Sequence, residues 1–161
     1  MKYFHLNGII NEELFDKFIT FYNETTEDYK VVINSRGGKS ALADIIRNMI
    51  EESPVKVTLI SAGCFSSAFE LFYKCSGDKI ICEGTTGMYH MPYIKDVSLG
   101  INNRPSWEED ICNVSNFDIS TVDFIKEFIT TKELKKFHKN EDVFFTFKRM
   151  KEIFPDAKIL K

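Results

Sequence analysis

Three short stretches hold the residues whose types and spacing can do chemistry: Ser35-Arg36-Gly37-Gly38, Gly63-Cys64-Phe65-Ser66-Ser67-Ala68 and Met88-Tyr89-His90-Met91-Pro92. A serine hydroxyl attacks a carbonyl only with help, because it needs a base for its proton and preorganised donors for the oxyanion that forms. Ser66 and Ser67 stand between an apolar strand-like run and an apolar helix-like run. There amides point outward and the helix dipole favours developing negative charge. The amide of Ala68, following Ser67, is one candidate oxyanion donor. Gly37 and Gly38 supply a second, since without a Cβ their backbone approaches a ligand closely, and Gly38 N–H is taken as the donor. The plain reading of Ser66-Ser67 is helix capping, which explains most serines that precede an apolar helix. For His90 it is a core histidine bonded to backbone.

These stretches need strand ends to hold them, and the chain provides a series. Met1–Leu6 reads as a strand, and Asn11 followed by Glu12 and Glu13 caps a helix with the apolar face Leu14, Phe15, Phe18, Ile19 and Tyr22. Lys30–Asn34 is a second strand, followed past the glycines by Leu42, Ile45, Ile46, Met49 and Ile50 at helical spacing. Pro54 stops that helix, Val55–Ile60 returns as a strand, and Ser67–Tyr73 is a short apolar helix. Lys79–Glu83 and Gly87–His90 are short strands. Residues 93–107 show no clear period. Phe117–Phe128, Thr131–His138 and Phe147–Phe154 read as helices, and Ala157–Leu160 as a closing strand. Repeated strand-to-helix units predict an α/β fold with parallel pairing.

The bulk properties narrow the classes. A chain of 161 residues, 43% hydrophobic with a formal charge of −3, is read as one domain, 1–161, with a core of its own and no nucleic-acid surface. Cys64, Cys75, Cys82 and Cys112 form no C-x-x-C pair and have no histidine at metal-ligand spacing, so neither metal nor cofactor is expected. The lack of a signal peptide or a membrane-spanning apolar run, with cysteines in apolar surroundings, predicts a cytoplasmic protein without a membrane partner.

In their order along the chain, the three stretches resemble the proteolytic subunit of the Clp protease, with its strand-Ser-Pro-Gly-Gly, Gly-x-x-x-Ser and His-x-Pro elements. The resemblance implies the ClpP/crotonase fold, a spiral of β-β-α units in a single domain, with a handle or loop region at about 93–130. In the family the serine is the fifth residue of Gly-x-x-x-Ser, which selects Ser67 over Ser66 as nucleophile. The histidine of His-x-Pro is the general base, here His90. Asn140-Glu141-Asp142-Val143-Phe144-Phe145-Thr146 resembles the stretch that supplies the third triad member, which makes Asp142 the acid, with Asp118 and Asp123 as fallbacks. Gly38 and Ala68 would form the oxyanion hole, and Gly37, Phe69 and Met91 would touch substrate.

The implied activity is a serine endopeptidase acting on peptides or unfolded protein through an acyl-enzyme, assembled as a homo-oligomer, in the family a ring. Several residues depart from the pattern: Arg36 stands for the usual proline, Cys64 for glutamine, Ala68 for methionine, and Phe69 for a small residue that would leave the specificity pocket wider. The chain opens almost on its first strand, so the family's contact with an AAA+ unfoldase ring is in question. A poor copy of the handle helix at Ile111–Phe128 does the same for stacking of two rings. Two other readings are compatible with the sequence: a silent ClpP-like structural or assembly subunit, and an acyl-CoA enzyme on the crotonase fold. A Ser67-His90 pair argues against the last, because crotonases need none.

Overall fold

Runs rich in Val, Ile and Phe become the strands of one mostly parallel sheet. The computed structural model describes residues 1–90, 94–95, 102–103, 125–139 and 141–161. In chain order the elements are β1 (Lys2–Ile10), α1 (Glu12–Asn23), β2 (Tyr29–Gly38), α2 (Ser40–Glu51), β3 (Val57–Phe65), α3 (Ser67–Lys74), β4 (Asp78–Cys82), β5 (Gly87–Tyr89), β6 (Ile94–Lys95), β7 (Asn102–Asn103), α4 (Thr131–His138), β8 (Val143–Phe145), α5 (Phe147–Ile153) and β9 (Lys158–Leu160). The described residues fall into two compact units, Met1–Tyr89 with Phe144–Lys161, and His90–Val143.

In the first unit the strands run β1-β2-β3-β4-β9, each pair parallel. β-branched side chains suit a pleated surface, and β2 buries Tyr29, Val31, Ile33 and Ser35 on one face while the alternate residues are only partly covered or exposed. The expected cap of α1 is present: Asn11 Oδ1 accepts from Leu14 N–H at 3.0 Å, and Glu12 and Glu13 occupy the first turn. Of the apolar face read for α1, Phe18 is the buried member. In α2, Ala43, Ile46 and Ile50 turn inward while Ile45 stays 43% exposed, so the inward stripe is narrower than the apolar spacing suggested.

β3 is the strand that positions the site, because it changes partner along its length. Thr58–Ser61 pair with Asp78–Ile81 of β4, whereas Cys64 and Phe65 pair with Gly87 and Met88 of β5, which also pairs β8. Opposite, the ladder of β2 with β3 slips between Ile33 and Asn34, leaving Ala62 as an extra residue. Behind β3, α3 buries its apolar face in an aromatic cluster. The Phe69 and Phe145 rings lie 5.0 Å apart, Phe72 and Phe154 4.9 Å apart, and Phe69 and Tyr89 6.1 Å apart. Edge-on and offset aromatic pairs add about 0.5–1.5 kcal/mol each to the area they bury.

In the second unit β6 and β7 pair antiparallel, and α4 opens on a capping box in which Thr130 and Glu133 serve each other's backbone amides. Most of the expected handle region, and the helix read at Phe117–Phe128 apart from its last residues, lie outside the described residues.

The close approach of β2 to its neighbours sets a steric test. A Cβ on Gly38 would sit 2.3 Å from Ile10 O, and one on Gly37, at φ +83°, would sit 2.6 Å from Phe65 O, whereas Gly84, at φ +80°, has open space around it. Gly84→Ala is expected to cost about 1 kcal/mol from conformation alone, and Gly37→Ala and Gly38→Ala at least about 2 kcal/mol. Urea midpoints at constant m-value check the order.

Candidate active site

The loop that ends β2 is tied down before it reaches any ligand. The ladder of β1 with β2 shifts between Gly8 and Ile9, leaving Arg36 as an extra, exposed residue. The buried Ser35 hydroxyl donates to Gly8 O at 2.8 Å and accepts from Gly37 N–H at 3.1 Å, and Lys39 N–H donates to Ile10 O at 2.9 Å. Ser35 therefore fixes the turn that presents the Gly38 amide. No local pattern in the sequence marks Ser35 for this part, because its acceptor Gly8 lies 27 residues away.

At the other side, β3 passes into α3 through Ser66, whose φ of 55° and ψ of −129° make it the single non-glycine residue with positive φ among the described residues. Such a conformation costs of order 1–3 kcal/mol and needs surrounding bonds to hold it. Ser66 N–H donates to Met88 O at 2.7 Å, and Ser66 O accepts from Phe69 N–H at 2.9 Å and Glu70 N–H at 3.1 Å. Its side chain makes no cap bond to the helix. Helix capping therefore does not account for this serine.

Ser67 is the first residue of α3 and is 3% exposed. Its Oγ accepts from Gly38 N–H at 2.9 Å and donates to Gly38 O at 3.3 Å. The structure thus brings together the expected nucleophile and the expected oxyanion donor, with Gly37 packed directly against the Ser66–Ser67 backbone. The Ala68 amide, in the first helical turn, has no acceptor among the described residues. Acyl transfer at a carbonyl needs an attacking oxygen beside backbone N–H groups, and a serine hydroxyl at a helix N-terminus next to the Gly38 amide is an arrangement of that type.

His90 follows β5 directly and is half-buried, and Asp142 is exposed just before β8. Both belong to the second unit. Met91, Asp118 and Asp123 lie outside the described residues. Phe69, expected at the specificity pocket, is instead fully buried in the aromatic cluster with Tyr73, Tyr89, Phe145 and Phe154, because a ring at this position of α3 faces the core. Cys64 is also fully buried, with Sγ 3.2 Å from Ser61 Oγ, which lies 3.3 Å from Thr85 Oγ1. Burial pushes the Cys64 thiol up to about 12 against the opposing Ser61 hydrogen bond, and burial likewise raises Cys75 to about 12. Neither is a thiolate near neutral pH, so neither rivals Ser67 as a nucleophile.

No protein-family model and no curated protein matches the chain in sequence. Solved structures do match. A ClpP1 variant from Listeria monocytogenes superposes with a TM-score of 0.67 over 99% of this chain and 91% of that one, at 16% identity. The fold is that of ClpP. The ClpP protease catalytic domain from Plasmodium falciparum superposes with a TM-score of 0.65, covering 99% of this chain and 84% of that one, also at 16% identity. On this ClpP fold the strand-to-helix junction at Ser66-Ser67 and the glycine loop at Gly37-Gly38 sit side by side.

The buried thiols give a chemical check. At about pH 8, iodoacetamide should leave Cys64 and Cys75 unmodified in the folded protein and alkylate both after unfolding. Their folded pKa values lie above the unfolded ones. The stability they contribute is therefore complete below about pH 8.5 and is lost as pH rises toward 12. Urea titrations across that range should show the loss, and Cys64→Ala should show less of it.

Proposed function

We propose that the chain is a serine-type endopeptidase of the Clp proteolytic-subunit kind. The observation that carries this reading is the Ser67–Gly38 pair, a hydroxyl at the start of α3 lying 2.9 Å from the amide of a glycine loop on a ClpP fold. Ser67 Oγ attacks the scissile carbonyl while His90 takes its proton, and the negative charge passes to the carbonyl oxygen, held by the Gly38 and Ala68 amides. Collapse of this intermediate breaks the C–N bond, and His90 gives its proton to the leaving amine. Water then repeats the sequence on the acyl-enzyme and releases the acid. Asp142 accepts from the far nitrogen of His90, fixing its tautomer and stabilising the imidazolium.

The substrate class is peptide or unfolded protein and the working form a homo-oligomer, as the resemblance of the three sequence stretches to the Clp proteolytic subunit implies. In the conformation described, the Ser67 hydroxyl occupies the Gly38 amide itself, so attack requires rotation about χ1 and entry of the substrate carbonyl oxygen in its place. The same observation favours one competing reading, a silent ClpP-like subunit in which Ser67 is a buried structural bond between β2 and α3.

Intact-mass analysis after fluorophosphonate treatment separates the two. The expected result is one adduct in the wild type and in Ser66→Ala and none in Ser67→Ala, with peptide hydrolysis lost in Ser67→Ala by at least about a thousandfold. An adduct lost in Ser66→Ala instead moves the nucleophile by one residue. No adduct in monomer or oligomer makes the silent subunit the correct reading.

A further inference from the structure

The glutamate one turn after Ser67 is held in a way that packing alone does not require. Glu70 lies on α3 with its side chain 15% exposed, beside the aromatic cluster, and its two carboxylate oxygens are engaged separately. Oε1 pairs with Lys74 Nζ at 2.5 Å, and Oε2 accepts from the Tyr89 hydroxyl at 3.2 Å. Tyr89 is itself 3% exposed, with its ring 6.1 Å from Phe69. A partly buried carboxylate is retained at a desolvation cost, and its best-attested benefit is to select one register among several apolar packings.

The position of the pair gives that selection an object. Residues three apart on a helix share a face, so Glu70 and Ser67 turn together when α3 turns about its axis. Tyr89 is the last residue of β5, immediately before His90. The ladder of β5 with β3 ends at Met88, so the Tyr89 side chain extends the tie to α3 one residue beyond the backbone pairing. We propose that Glu70 and Tyr89 are positioning residues for acyl transfer: their hydrogen bond sets the rotation of the helix that carries Ser67 against the strand end from which His90 departs. Lys74 holds the carboxylate in the acceptor orientation and supplies the charge that makes its burial tolerable.

This assignment rests on the peptidase reading, and one experiment keeps the two distinguishable. The rate of fluorophosphonate labelling is measured on wild type, Tyr89→Phe, Glu70→Ala and Glu70→Gln, with folded fraction and oligomeric state recorded on the same samples. Tyr89→Phe and Glu70→Ala are expected to label about tenfold more slowly while fully folded, and Glu70→Gln to recover most of the rate, since its amide oxygen still accepts from the phenol. A wild-type rate in Tyr89→Phe overturns the proposal and leaves the peptidase standing. So does a slowing that merely follows the folded fraction, or a Glu70→Gln rate as low as that of Glu70→Ala. Absence of labelling in the wild type overturns both.

Discussion

The approach of the end of β2 to the start of α3 is the constraint on which the first unit depends. A backbone amide and a serine hydroxyl meet at 2.9 Å there. β2 reaches the junction through a left-handed glycine that packs on Phe65 and Ser66, and through a second glycine pressed against Ile10 of β1. α3 reaches it through a strained Ser66 whose amide is taken by Met88 of β5. Each bond closes a circuit among β1, β2, β3 and β5, so the local strain is spread over the sheet rather than relieved at the turn.

Partner exchange along β3 serves the same end. Had β4 continued beside β3 to Phe65, the edge next to the α3 junction would be filled by the strand that leads away from it. With β5 there instead, the segment ending in Tyr89 lies against the last residues of β3. The aromatic cluster then locks α3 from behind, with Phe145 and Phe154 arriving from β8 and the residue after α5. The polar fork of Glu70, Lys74 and Tyr89 is set into this apolar surface.

Much of this arrangement was legible in the sequence because it follows from short-range rules. β-branched runs, an Asn-Glu-Glu cap and a proline stop placed β1 to α3 within a few residues, and the Gly-Gly and Ser-Ser pairs marked the junction. Strand ends lie beyond their β-favouring residues: β2 runs on to Gly38 and β3 to Phe65, because pairing with neighbours extends strands past the residues that favour them. The burial of Phe69 was not legible locally, because only the fold shows which face of α3 its ring occupies. The bond of Ser35 to Gly8 and that of Tyr89 to Glu70 left no local signal. They join residues far apart in the chain, and periodicity carries no information about such pairs.

The order in which these parts leave the ribosome has its own consequence. α3 and the glycine loop are synthesised well before Phe145, Phe154 and β9, yet those later residues cover the aromatic face of α3, and β9 completes β4 with Leu160 O accepting from Glu83 N–H. Parallel pairings of this separation form slowly. A nascent chain therefore carries a sticky helix and an unfinished sheet edge until β9 has emerged, a period in which holding chaperones have most to bind. Until those residues arrive, the Ser67–Gly38 bond rests on a helix whose aromatic face is still uncovered.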